Sequence, residues 1–109
     1  MQSAPAPANP VFQALADPSR RAIFESLAQG EAAVKDLTAR FDISQPAVSQ
    51  HLATLRSAGL VTNRRQGRQV FYRVDENGLQ PLIDWIAHHR GFWSHHLDRL
   101  DRLLDRMDP

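Results

Sequence analysis

Gln45, Ser49 and Gln50 fall within one short run. Arg56, Arg64, Arg65, Arg68 and Arg73 follow it with no Asp or Glu between them. The two groups carry complementary chemistry. A Gln amide offers a donor and an acceptor side by side, which suits the edge of adenine, and a Ser hydroxyl contacts a base or a phosphate. Guanidinium groups unaccompanied by carboxylates neutralise phosphates. The formal net charge of the whole chain is only +1, so the cationic character is local. Catalytic groupings are missing: there is no phosphate-cradling Gly loop, no His-Glu-x-x-His box and no Ser in a nucleophile elbow. Asp17, Asp36 and Asp42 sit where caps and turns favour short acceptors. The chain contains no Cys, which removes disulfides, thiolate metal sites and thiol redox sensing. No cofactor is expected.

The elements that must position these side chains are legible from periodicity. With 109 residues, 42 % of them hydrophobic, the chain suits one packed domain. The expectation is a mainly α fold with a small β-hairpin wing. Residues 1–9 form a Pro/Ala tail expected to be disordered, and residues 10–109 form the domain. Pro10 to Ala16 reads as a short apolar turn with Val11, Phe12 and Leu15. Asp17 caps a helix with Pro18 at its first position, running to about Ala28 and ended by Gly30. A second helix spans Val34 to Phe41. Ser44 caps a third, with Pro46 in its first turn, Val48, Leu52 and Leu55 inward and Gly59 at its end. Projection at 100° per residue places Pro46, Ser49, Gln50 and Ala53 outward, Gln45 at the amino end, and His51 and Thr54 on the flanks. Leu60 to Asn63 and Gln69 to Val74 read as strands flanking the tip Arg64-Arg65-Gln66-Gly67-Arg68. Two helices joined tightly and followed by such a hairpin make a winged helix-turn-helix.

From Leu79 to Met107 the spacing predicts one long helix with a mostly apolar seam, and Gly91 as the place for an interruption. At about 1.5 Å per residue it would extend roughly 40 Å, more than so small a domain covers unaided. Such a seam calls for a partner to cover it. Trp85, Phe92 and Trp93 either line an apolar effector pocket or fill the dimer core; packing is the commoner use of such aromatics. Asp84, His88 and His95 form the candidate metal set, since His88 and His95 lie one heptad apart. That spacing leaves one helix unable to close a tetrahedral shell, and helical His beside Asp or Arg is more often solvated. The charged run Asp98 to Arg106 reads as a solvated face. No apolar run approaches the roughly 20 residues of a membrane span. The opening Met1-Gln2-Ser3-Ala4-Pro5 lacks the basic and apolar parts of a secretory signal, so a cytoplasmic location is expected.

Three segments carry a resemblance. Ala14-Leu15-Ala16-Asp17-Pro18-Ser19-Arg20-Arg21-Ala22-Ile23 is similar to the opening helix of the ArsR/SmtB family of bacterial repressors. Ser44 to Val61 resembles that family's recognition helix and wing entry, and Arg64 to Tyr72 resembles the wing, the likeness spanning about Val11 to Asp84. The resemblance implies a homodimer through the first and last helices, with Val11, Phe12, Leu15, Leu82, Ile86, Trp93, Leu97 and Leu100 at its interface, that binds double-stranded DNA at an inverted-repeat operator and represses transcription until an effector, here an unnamed small molecule, releases it. Gln45, Pro46, Ser49, Gln50, His51, Thr54, Arg56, Arg64, Arg65 and Arg68 would then form the DNA surface. The sequence departs from the family's metal sensors. Where metalloid sensors carry Cys-Val-Cys, it has Ala33, Val34 and Lys35. Anchored on Asp84, the zinc-sensor positions hold Ile86, Leu97 and Leu100, none of which coordinates metal. A different reading stays open at this stage: a winged-helix interaction module whose long helix docks a partner protein and which has no operator.

Overall fold

The computed structural model describes residues 8–107, with the side chains of 92–94 and 107 excepted. Helices α1 (Asn9–Ala16), α2 (Pro18–Ala28), α3 (Val34–Arg40) and α4 (Gln45–Ser57) precede the hairpin β2 (Val61–Gln66) and β3 (Gln69–Val74). A two-residue strand β1 (Ala32–Ala33) lies before α3, and α5 (Gln80–His88) and α6 (Arg90–Met107) complete the chain. The antiparallel sheet has the order β1-β3-β2, with Ala32 opposite Tyr72 and Thr62 opposite Arg73.

Each boundary has a local cause. The Asp17 carboxylate accepts from the Arg20 backbone N–H at 2.9 Å and Pro18 opens α2, so an N-terminal donor is satisfied where proline costs nothing. Arg20 Nε donates to the Ala14 carbonyl at 2.6 Å, and Arg21 Nη1 to that of Leu15 at 2.7 Å. These two cations close the carbonyl end of α1 and complement its dipole. Ser44 Oγ accepts from the Ala47 N–H at 3.2 Å and begins α4. Gly59, at φ +79°, ends it in a Schellman turn: its N–H reaches the Arg56 carbonyl and Leu60 N–H reaches Leu55, both at 3.0 Å. Ile23, Phe24, Leu27, Leu37, Val48, Leu52, Leu55 and Leu60 form one core joining α2, α3, α4 and the entry to the wing.

Three expectations are corrected, and one strand is found beyond those expected. The folded part begins before residue 10, since Ala8 is buried and Asn9 opens α1; residues 1–7 lie outside those described. The apolar turn at Pro10–Ala16 is a helix, because the arginines of α2 supply its missing carbonyl partners. β1, made of two alanines, exists through its pairing with β3 and has no local propensity of its own. The C-terminal helix is two helices, broken at His89 (φ −108°, ψ 30°) and not at Gly91. His89 Nδ1 lies 2.8 Å from the Trp85 carbonyl, and its backbone N–H bonds to Ile86 instead. The side chain thus occupies the carbonyl that the helix needs to continue.

The radius of gyration is 17.3 Å, against about 13 Å for a compact chain of this size. Exposed apolar side chains on α1, α5 and α6 accompany that extension: Phe12 is 40 % exposed, Ile83 52 %, Leu97 55 % and Leu104 52 %. Phe12 packs edge-on to Trp85 with ring centroids 5.4 Å apart, which joins α1 to α5 as one surface. Among the described residues no helix is long and apolar enough to cross a membrane.

Candidate nucleic-acid interface

Helix α4 has two faces. Val48, Leu52 and Leu55 are fully buried against the core, while Gln45, Pro46, Ser49, Gln50, Ala53 and Arg56 are exposed. A helix fixed by three large apolar contacts offers its opposite face in a defined orientation, which a major-groove reader needs. The flank residues differ from that face. Thr54 Oγ1 donates back to the Gln50 carbonyl at 3.2 Å. His51 is half-buried with Nδ1 unpartnered. The Arg20 backbone N–H chiefly holds the Asp17 carboxyl below the usual carboxylate range, with the nearby His51 and Arg20 charges adding to the effect.

The wing begins where α4 ends. β2 continues through Arg64, Arg65 and Gln66, so the connection to β3 is the two-residue turn Gly67-Arg68, shorter than the five-residue tip the sequence predicts. Gly67 has φ +63° and Arg68 does not have positive φ, the pattern of a type II′ hairpin turn. Strand alternation sends Arg64 and Gln66 to one face and Arg65 to the other.

Arg64 is engaged within the molecule. Its Nε and Nη2 donate to the two carboxylate oxygens of Glu31 at 3.0 and 2.7 Å, and Nη1 donates to Gln66 Oε1 at 2.6 Å. The guanidinium also lies 4.7 Å from the Phe71 ring centroid. One side chain therefore reaches from β2 across β3 to the residue preceding β1. The Arg64 hydrogen bonds hold the Glu31 carboxyl below its usual range and raise the guanidinium's own pKa. An arginine run free of acids in sequence thus acquires an acid in space. The Arg56, Arg65, Arg68 and Arg73 residues are exposed, and their side chains make no hydrogen bond or ion pair among the described residues.

The face of α4 and the wing share a groove of about 290 Å³. It is lined by Gln45 and Ser49 from α4, Arg68 and Gln69 from the wing, and Val34 and Lys35 from the start of α3. Sequence reasoning missed Lys35 and Glu31. An outward Lys on the preceding helix gives no sign of facing the wing, and Glu31 lies 33 positions from Arg64.

The remaining predicted residues fall into two sets. Val11 is 1 % exposed and belongs to the core, so its side chain is used within the protomer and not at its surface. Leu15 and Leu82 pack against the core from its edge, whereas Phe12, Ile86, Leu97 and Leu100 are exposed; the Trp93 side chain lies outside those described. The break at His89 places Asp84 and His88 on α5 and His95 on α6, removing the shared face that a continuous helix would give. Asp84 Oδ1 accepts from Gln80 Nε2 at 2.8 Å. Among the described residues no group of three or more His, Cys, Asp or Glu side chains is placed to hold a metal ion.

A core-anchored helix with a polar outer face, set beside a basic hairpin, defines a winged helix-turn-helix regulator. Sequence comparison carries this further. The pattern of the bacterial regulatory protein, arsR family, matches residues 17–63. The chain is 43 % identical to an HTH-type transcriptional regulator of Mycobacterium tuberculosis over 86 % of its length and 85 % of that protein's. It is 36 % identical to the transcriptional repressor SdpR of Bacillus subtilis, over 72 % of this chain and 87 % of SdpR. The crystal structure of an ArsR family transcriptional regulator superposes with a TM-score of 0.72 at 32 % identity, covering 79 % of this chain and 94 % of that one. The chain belongs to the ArsR family: it is a transcriptional regulator and not an enzyme.

Proposed function

We propose that the chain is a homodimeric repressor that binds an inverted-repeat operator, with one α4 in each of two successive major grooves. The observation that carries this is the shared groove: Gln45 and Ser49 of α4, Lys35 of α3 and Arg68 of the wing line one channel with no carboxylate in its lining. Gln45, Ser49 and Gln50 read base edges. Arg56, Arg65 and Arg68 meet phosphates or the adjacent minor groove. Arg64 holds the wing to the sheet through Glu31, a positioning task that replaces the phosphate contact its sequence position invites. Pro46 starts the helix, while His51 and Thr54 border the reading face. A second copy covers Phe12, Ile86, Leu97 and Leu100, since so large an apolar area on a small chain calls for an interface. An operator on the bacterial chromosome places the protein in the cytoplasm. Any release signal acts without thiolates, the chain having no Cys.

Fluorescence anisotropy with duplexes from the DNA upstream of the protein's own coding sequence tests this reading. A specific site is expected to bind about 10³-fold or more tightly than mixed-sequence duplex at the same salt. Equal affinity for both would contradict sequence reading, and no binding to either at low ionic strength would remove DNA as the ligand.

A further inference from the structure

We infer that Lys35 and Arg68 together seat a single backbone phosphate in the groove between the recognition helix and the wing, a contact that rests on the DNA reading above. Lys35 comes from the first turn of α3 and Arg68 from the hairpin turn, two elements far apart in sequence that converge on one channel of about 290 Å³. Both side chains are exposed and make no hydrogen bond or ion pair among the described residues, in contrast to Arg64, which Glu31 and Gln66 engage. Gln45 and Ser49 add an amide and a hydroxyl to the same channel, and its lining includes no carboxylate.

The position follows from the geometry of a bound duplex. With α4 in the major groove, a sugar-phosphate strand borders that groove on each side. On the side of the wing, the strand must pass between α4 and the hairpin, which is the path of this channel. Two cations that line the same channel from different elements then meet one charged group. Lys supplies a compact, mobile charge and Arg a planar fork, a pairing suited to a phosphate approached from two directions. The contact is blind to sequence. It fixes the depth and register of α4, and Gln45 and Ser49 lie close enough to read from that fixed point.

The test is a salt titration. The full-length protein is titrated onto a labelled mixed-sequence duplex of roughly three helical turns across a KCl series, as wild type, Lys35→Ala, Arg68→Ala and the double variant. Each single change is expected to weaken binding, and the double variant to flatten the log–log salt slope by about 0.9 per bound protomer, the value for one lost phosphate. Lys35→Arg in the Arg68→Ala background is expected to keep the wild-type slope that the double alanine variant loses. A double variant that flattens the slope by about 1.8 per protomer places the cations on two separate phosphates and overturns the shared seat. An unchanged slope in the double variant, with wild type binding normally, overturns the inference and leaves the DNA reading standing. Wild type that ignores the duplex at low salt overturns both. Melting curves of all variants are expected to superpose; where an alanine variant melts early, Lys35→Gln and Arg68→Gln give the same comparison.

Discussion

Gly78 lies buried where the turn after the wing crosses the end of the recognition helix, and Gly78→Ala perturbs that crossing alone. A methyl group built there overlaps the Gly59 carbonyl oxygen and comes 2.8 Å from Leu60 Cα, closer than the 3.0 Å that real Cβ atoms respect. Both neighbours are backbone, so no side chain can swing aside. The two segments are also tied by the Asp75 N–H bond to the Leu60 carbonyl at 3.0 Å, which must lengthen if they separate. Overpacking of this kind costs about 1–3 kcal/mol, and a weakened hydrogen bond adds about 0.5–1.5 kcal/mol. The loss of unfolded-state entropy on replacing Gly offsets about 0.4–1 kcal/mol. The expected net loss is about 1–3 kcal/mol, or roughly 5–20 °C in Tm. Urea unfolding followed by circular dichroism measures it. Gly91→Ala is the control: its added methyl meets nothing within 4 Å, and it lies in a helix, where Ala gains about 0.5–1 kcal/mol over Gly. If Gly78→Ala proves as stable as wild type, the close crossing of turn and recognition helix is refuted.

Other expectations follow from the same geometry. Gln50→Ala is expected to relax base preference at one position per half-site by about 1–3 kcal/mol, read by binding to a panel of single-base operator variants; an unaltered preference would remove Gln50 from the reading face. Glu31 has a carboxyl pKa depressed in the folded state, so its contribution is present above the unfolded carboxylate range and vanishes as pH falls through the folded value. Wild type is therefore expected to melt above Glu31→Gln at neutral pH and to converge with it in acid; a gap that persists at low pH would contradict an ionic clip. Leu97→Glu with Leu100→Glu places charge on the exposed face of α6 and is expected to shift sedimentation from dimer to monomer without loss of helicity. A dimer that survives both changes places the interface elsewhere.

The recognition unit was largely legible in the sequence because its signals are local. Ser44 and Pro46 mark the start of α4, Gly59 marks its end, and Val48, Leu52 and Leu55 mark its inner face; each acts within a few residues of the feature it sets. The features that escaped are those made by distant partners. α1 is closed by arginines from the next helix, and β1 has pairing as its only cause. Glu31 finds Arg64 through the sheet, so the wing's charge changes in a way no window of sequence contains. The break at His89 is an intermediate case. Helical spacing runs on through Ile86, Trp93 and Leu97, and the competing bond from an imidazole to a carbonyl four residues back leaves no trace in periodicity.

Hydroxyl-radical footprinting of the protein on its upstream DNA tests the central claim most directly, because it reports where backbone is covered and how many times. Two recognition helices backed by wings predict two protected clusters on one face of the duplex, about 34–36 Å apart, with the wing-side phosphates inside each. A single cluster, protection spread evenly along the fragment, or none at low ionic strength would contradict the account.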